Sequence, residues 1–373
     1  MGDNRWPRGR RLVSGTLRGI GLIAVLAGWV WSVFALQPFG DRGWTFGAIF
    51  IASAWLATGL RRAAPPEAAR IRGVPSLRGV GRSKRAFLIA GLAAWMALIA
   101  WSAVSPGGPM PPAKSDPAAI RVLSWNILLG TDGGLPWGRH GWPVRGPALR
   151  EALQATRPDI LCVQEALDGQ VRLLEAELPR HSREGVGRDD GRTGGEYCAV
   201  LFDASRFERM DGGTFWLEEP VDAPPARPGL GPKRICTWVR IRDRPSGRTL
   251  RVYNAHSYLT EEARLHASRI ILERIGSGDA ADEVLLAGDF NAPPTDPSRG
   301  LFSKAGLIPT AGSAGGPDDA PTYHFYGIRW RSLDEIYASR GWRSLGRWVV
   351  DAKPGNTFPS DHFGVLADLM LER

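Results

Sequence analysis

Between residues 124 and 362, apolar runs end in short polar motifs six times: Ser124–Asn126 (SWN), Val163–Glu165 (VQE), Asn254–His256 (NAH), Leu286–Asn291 (LAGDFN), Leu333–Ile336 (LDEI) and Ser360–His362 (SDH). A strand that is apolar along most of its length and carries a carboxylate or amide at its tip is what such a run builds. Repeated six times, the pattern demands a β scaffold with one polar edge, the setting of an active site.

The rest of that region agrees with a sheet protein. Arg121–Trp125, Ile160–Val163, Tyr197–Phe202, Ile235–Ile241, Leu250–Asn254, Val284–Ala287, Ser332–Ala338 and Phe363–Asp368 are short, apolar and rich in β-branched or aromatic residues, so they read as strands. Pro147–Thr156, closed by Arg157-Pro158, and Glu261–Ile275, with Thr260 as its N-cap, read as helices. Arg188–Gly195 and Glu219–Gly231 are Gly/Pro-rich loops. Many strands with interspersed helices indicate an α+β architecture of two stacked sheets covered by helices.

The formal net charge of +9 invites a nucleic-acid reading, but its distribution points elsewhere. Residues 1–115 hold 15 Lys/Arg against 3 Asp/Glu, leaving 32 against 35 for residues 116–373, which are therefore slightly acidic. Within 1–104, three apolar runs (20–36, 44–60 and 86–104) have about the length that crosses a bilayer, on the order of 17–25 residues. Arg61, Arg62, Arg70, Arg72, Arg78, Arg82, Lys84 and Arg85 crowd the connection between the second and third. The positive-inside rule puts that loop and the N-terminus in the cytoplasm, so three crossings leave the remainder outside a cell membrane. Residues 105–119, SPGGPMPPAKSDPAA, read as a short, stiff linker, and the second folding unit is expected to span 120–373.

The polar residues suit phosphate-ester chemistry, which needs a cation on the phosphoryl oxygens, a base for water and donors for developing charge. Glu165 ends the apolar strand DILCV and is the leading metal-ligand candidate. Asp289 and Asn291, alternating along an extended chain, would face one side, the carboxylate holding water and the amide reaching phosphate. An Asx-turn leading into Pro293-Pro294 is the structural alternative. His362, backed by Asp361 or by Asp334, is suited to donating to a non-bridging oxygen. His256 has a comparable candidate partner in Glu196, whereas His140, His181 and His266 read as surface residues.

Taken in order, SWN, QE, NAH, GDFN, LDEI and SDH resemble the endonuclease/exonuclease/phosphatase superfamily, over roughly Arg121–Leu369. The resemblance implies a four-layered α/β/β/α DNase I-like sandwich and a Mg2+ (or Mn2+) cofactor. It also implies that Asn126 and Glu165 hold the metal with Asp361 beside them, that Asp289 activates water, and that Asn291 contacts phosphate. His362 would stabilise the transition state with Asp334 behind it, and His256 with Glu196 would form a supporting phosphate-binding pair. Phe363-Gly364-Val365 departs from the Pro usual after SDH, and Glu335 stands where an aromatic is common. NAH followed by Ser257 replaces the commoner HL ending, which leaves His256 the least secure assignment.

The expected activity is therefore a phosphodiesterase or phosphatase acting beside a membrane on a lipid or small phosphorylated substrate, with no obligate protein partner. A tethered nuclease is the alternative, and a catalytically silent binding module of the same fold a third. Cys198 and Cys236 could pair across neighbouring strands, or all three cysteines, with Cys162, could stay free.

Overall fold

Buried residues on strands facing each other across two six-stranded sheets form the centre of the molecule. The computed structural model describes residues 107–114, 116–130, 141–310, 320–325 and 327–372. The first sheet runs, in spatial order, Trp342–Val350 (β13), Gly364–Leu371 (β14), Ile120–Asn126 (β1), Ile160–Ala166 (β2), Tyr197–Asp203 (β4) and His181–Glu184 (β3). The second runs Phe207–Trp216 (β5), Ile235–Asp243 (β6), Thr249–His256 (β7), Glu283–Asp289 (β8), Asp334–Ala338 (β12) and Ile308–Pro309 (β9). A two-stranded ribbon, Tyr323–Phe325 (β10) with Ile328–Arg331 (β11), stands apart.

Two neighbouring pairs, β1 with β2 and β7 with β8, are parallel. Parallel neighbours need a crossover, normally helical, and here Trp142–Thr156 (α1) and Glu261–Gly276 (α3) supply it. With Asp168–Glu177 (α2) and Pro297–Lys304 (α4), these helices cover the two outer faces. Leu149, Leu153 and Val171 pack on Leu123, Trp125, Leu161 and Val163 of the first sheet. Ala267, Ile271 and Phe302 pack on Tyr253, Leu286 and Tyr337 of the second. The layers are thus α/β/β/α, as expected.

Period-two alternation fixes what the interior contains. Ile120 and Val122 of β1, Leu250 and Val252 of β7, Leu285 and Ala287 of β8, and Ile336 and Ala338 of β12 share one inter-sheet core. Continuing each row brings Asn126, Asn254 with His256, Asp289 and Asp334 to the same end of the sandwich. The polar tips seen in the sequence are therefore one surface.

Several elements differ from the sequence reading. Helix α1 begins at Trp142 rather than Pro147, with Pro143 in its first turn where no N–H partner is needed, and Pro147 tolerated inside. Strands β5 and β13 were not expected, because FERMDGGTFW and WRSLGRWVV interleave glycines and charges with their apolar residues. Residues 107–114 form no helix or strand and are docked: Lys114 Nζ lies 2.7 Å from Asp159, and the Pro112 carbonyl accepts from Arg121 Nη2 at 3.0 Å. The three cysteines are buried free thiols, and Cys198 and Cys236 belong to different sheets. Runs 20–36, 44–60 and 86–104 lie outside the described residues. Among the described residues no helix is long and apolar enough to cross a membrane.

Arg121 and Asp368, buried on β1 and β14, meet through two 2.7 Å bonds, and Arg121 also donates to the Thr156 carbonyl. Removing one member of such a pair strands a buried charge, at a cost of about 3–5 kcal/mol, whereas replacing both by apolar groups is often near neutral. Arg121→Met is accordingly expected to lower stability by that amount in denaturant unfolding, with Arg121→Met/Asp368→Leu recovering most of it. Two equally damaged variants would contradict this account.

Candidate active site

The polar end of the sandwich is built around Asp289. Its Oδ2 accepts from Asn126 Nδ2 at 3.0 Å and lies 3.5 Å from His256 Nε2 and 3.8 Å from His362 Nε2. Its Oδ1 accepts from the backbone N of Asn291 at 2.8 Å. Both sequence alternatives for Asp289 are therefore realised, one oxygen serving an Asx-turn and the other facing the site. The turn changes the reading of Asn291. Its φ is 51° and its Nδ2 donates to the Ser257 carbonyl at 3.0 Å, so the chain is not extended there and Asn291 does not simply repeat the direction of Asp289.

Glu165 reaches the site through a bulge. Its φ is 61°, and the pairing of β2 with β4 shifts register between Gln164 and Ala166, so that Glu165 leaves the alternation. Glu165 Oε1 then accepts from the same Asn126 Nδ2 at 2.9 Å. Leu128, whose N–H bonds to Asn126 Oδ1, is a third site residue with positive φ, at 55°. Left-handed backbone in non-glycine residues is uncommon and costs energy, and its concentration around Asn126, Glu165 and Asn291 marks a constellation over-determined by its surroundings. Gly288 has a related role, because a Cβ there would meet the Ala255 carbonyl oxygen at 2.0 Å.

The two histidines differ in charge. His362 Nδ1 lies 2.8 Å from Asp334 Oδ2. Burial alone would lower its pKa, but Asp334, Asp289 and Asp361 outweigh burial and hold it well above the usual value, so it is an imidazolium at neutral pH. His256 is driven well below the usual value by burial and then by Arg234 and Arg188. Arg234 Nη1 packs against the His256 ring, 2.8 Å from Nδ1 and 2.9 Å from Nε2. Glu196 stands with Glu165 and His256 in a group whose ligand atoms lie within 4.8 Å, but its close partner is Arg188, at 2.6 Å. The expected carboxylate-backed imidazolium at His256 is thus replaced by a neutral ring beside a guanidinium.

Sequence reasoning missed several supporting residues. Arg145 of α1 is buried and donates to the carbonyls of Ile127, Leu128, Leu129 and Pro359, tying the segment after SWN to the one before SDH. His324 Nε2 lies 2.9 Å from the Ser360 carbonyl, and its ring stacks on Phe363 at 4.2 Å. Thr322 Oγ1 accepts from the N–H of Asp334 at 3.0 Å. Arg188 and Arg234 sit outside the six motifs, in loop sequence without periodicity. Of the histidines read as surface residues, His181 and His266 are partly buried and lie away from this cluster, and His140 is outside the described residues.

The donor set suits a hard divalent cation. Glu165 is buried among carboxylates, and burial together with the charges of Glu196 and Asp361 pushes its pKa up to about 8. Burial and Asp334 likewise raise Asp289. Such a pocket holds more negative charge than its own groups settle, and oxygen donors of this kind suit Mg2+ or Mn2+. Glu165 and Asp361 are the carboxylates available to hold it, while Asn126, whose Nδ2 donates to Glu165 and Asp289 and whose Oδ1 accepts from the Leu128 N–H, would orient Glu165 and not ligate the ion.

Residues 123–362, more than half of the chain, match the model of the Endonuclease/Exonuclease/phosphatase family. The chain belongs to that family of phosphate-ester hydrolases, and its two-sheet sandwich is the DNase I-like fold. It is 25% identical to protein angel of Drosophila melanogaster over 61% of this chain and 70% of that protein. An endonuclease/exonuclease/phosphatase from Bacteroides vulgatus superposes with a TM-score of 0.63 at 26% identity, covering 68% of this chain and 99% of the other. A mannosyl-6-phosphatase from Bacteroides thetaiotaomicron gives 0.61 at 25%, covering 68% and 100%.

A carboxyl group raised in the folded state favours its protonated form, so the stability it contributes is full below the ordinary carboxylate range and is lost as pH rises through about 8. A cation must displace that proton. The rise in Tm on adding Mg2+ or Mn2+ is therefore expected to grow between pH 6 and pH 9 by calorimetry, and an increment that is flat or shrinks with pH would show that Glu165 does not bind the ion.

Proposed function

We propose that the chain is a Mg2+- or Mn2+-dependent hydrolase of a phosphate ester on a lipid headgroup or small molecule. The carrying observation is the convergence of Asn126, Glu165, Asp289 and His362 within hydrogen-bonding range or nearly so, beside a neutral His256 backed by arginine. A cation, when bound, neutralises phosphoryl oxygens and lowers the pKa of water. The remaining work falls to side chains. Asp289, made more basic by burial, takes the proton of the attacking water through Oδ2, which Asn126 holds in place. The imidazolium of His362 donates to a non-bridging oxygen and stabilises the charge that builds there, with Asp334 fixing its ring. Asn291, anchored to Ser257, keeps Asp289 in register and leaves its second amide N–H for phosphate.

Small or lipid substrates are favoured over polynucleotides because a nuclease grips several successive phosphates with a basic groove, whereas residues 116–373 carry 32 Lys/Arg against 35 Asp/Glu. A mannosyl-6-phosphatase among the similar structures fits this choice. The three apolar runs and the arginine-rich connection support a membrane-tethered enzyme with this domain outside the cytoplasm.

Three experiments test the proposal. The full chain, offered a generic phosphomonoester and phosphodiester, a sphingomyelin-type lipid, inositol phosphates, DNA and RNA, should turn over a small or lipid substrate only with a divalent cation. Chelator-resistant turnover, or activity confined to nucleic acid, overturns it. Asp289→Ala and His362→Ala should each lower kcat by about 10²–10⁴-fold with little change in KM, and Asp334→Asn should act as a milder His362 loss. For topology, a reporter fused after Arg373 should be active only outside the cytoplasm, and cytoplasmic activity reverses the orientation.

A further inference from the structure

Arg234 is buried, with its guanidinium against His256 and 3.9 Å from Glu196 Oε2. Arg188, largely buried, holds the same Glu196 oxygen at 2.6 Å. His256 Nε2 in turn lies 3.5 Å from Asp289 and 4.0 Å from Glu165. A continuous chain of contacts therefore runs from two arginines, through one carboxylate and a neutral ring, to the residues that face the reacting phosphate. Arg188 has a second, exposed carboxylate in Asp189, whose Oδ1 lies 3.9 Å from its Nε, whereas Arg234 pairs with Glu196. Two guanidiniums share Glu196, and the buried Nε atoms of both have no hydrogen-bond partner. Burying a cation without full pairing costs several kcal/mol, and so does leaving a buried donor unpaired, at about 1–3 kcal/mol. Both costs are offset if an anion completes the cluster.

The anion must be small and bear more than one charge, because it lies against the same Asp289–His256 edge that serves the reaction. We infer that Arg188 and Arg234 bind the non-bridging oxygens of a terminal phosphate, so that the enzyme is selective for phosphomonoesters over internal phosphodiesters. A monoester carries close to two negative charges at neutral pH, its second pKa being about 6, and a diester carries one and turns an ester group where the second charge would be. The planar fork of a guanidinium matches adjacent phosphate oxygens in a way an ammonium does not. Glu165, with a cation when one is bound, would meet the remaining oxygens, so that the two walls of the site would divide the charge between them.

This inference rests on the hydrolase reading above, and the test separates the two. The full chain is assayed on p-nitrophenyl phosphate and bis(p-nitrophenyl) phosphate, which share a leaving group. In a second arm, inorganic phosphate is titrated and binding read as a rise in Tm. The parent should prefer the monoester by at least tenfold in kcat/KM. Arg234→Lys, which keeps the charge and removes the fork, and Arg188→Gln, at the less buried position, should each cut monoester kcat/KM by about 10-fold or more. Diester kcat/KM should fall by a clearly smaller factor than monoester kcat/KM, and phosphate protection should weaken in parallel. A parent that prefers the diester, or variants that lose both substrates equally while remaining folded by circular dichroism, would overturn the assignment. If the parent hydrolyses neither substrate, the hydrolase reading fails, and the phosphate arm alone decides the subsite: protection lost in both variants sustains it, and protection unchanged in them removes it.

Discussion

Burying Glu165, Asp289 and Asp334 together at one end of an aliphatic sandwich is the constraint on which the rest of the site depends. Ionised carboxylates are costly to bury unless paired or bound to a cation, and here each has a distinct means of support. Asp334 has the imidazolium of His362 on Oδ2, while its Oδ1 has no hydrogen-bond partner. Asp289 has the Asn126 amide and the Asn291 N–H. Glu165 shares the Asn126 amide, and burial, followed by the like charges of Glu196 and Asp361, holds its proton up to about 8. The carboxylate surrounded by like charge is thus the one a cation would relieve, and the one paired with an imidazolium marks the charged histidine.

The same logic gives one residue type two jobs. His362 and His256 both lie near Asp289 Oδ2, yet Asp334, Asp289 and Asp361 outweigh burial and keep the first charged, while burial, followed by Arg234 and Arg188, keeps the second neutral. A charged ring can stabilise negative charge on phosphate, and a neutral ring can accept a hydrogen bond from a cation. Two imidazoliums side by side would repel one another and Arg234. The pairing of one His with Asp and the other with Arg resolves that repulsion and divides the pocket into an acid-supplying side and an anion-receiving side.

Much of this was legible in the sequence because the site residues sit where apolar strands end. Interior strands β1, β2, β4, β7, β8 and β12 were marked by short, mostly apolar runs, and their order of polar tips carried the family resemblance. Edge strands β5 and β13 were not, since an edge needs no unbroken apolar run and glycine with charge breaks the pattern. The direction of Asn291 was misread for a local reason, an Asx-turn at Asp289 that bends the chain one residue later. Arg145 escaped, and Arg188 and Arg234 were legible only as members of a possible basic cluster with Arg192 and Lys233, because nothing in their immediate sequence distinguishes a buried guanidinium from a solvated one. Their roles depend on what lies across the fold, which no local pattern encodes. The sign of the charge on His256 followed from the same omission.

Positive φ at Leu128, Glu165 and Asn291, at 55°, 61° and 51°, costs about 1–3 kcal/mol at each residue, which together is a large part of the 5–15 kcal/mol that holds a domain folded. The strain persists because each residue is fastened from two sides. Asn126 Oδ1 holds Leu128 while Arg145 holds its carbonyl. Asn126 Nδ2 holds Glu165, whose neighbours Gln164 and Ala166 remain paired to β4. Asp289 and Ser257 hold Asn291. Asn126 is common to the first two, and its own carbonyl accepts from Ser360 Oγ at 2.6 Å, which carries the arrangement into the loop bearing His362. Trp125 Nε1, bonded to the His362 carbonyl at 2.9 Å, closes that loop against β1. Glu165, Asp289 and the charged His362 are therefore positioned by one residue of β1 and its neighbour, so a displacement of β1 would move all three together instead of detuning them one at a time.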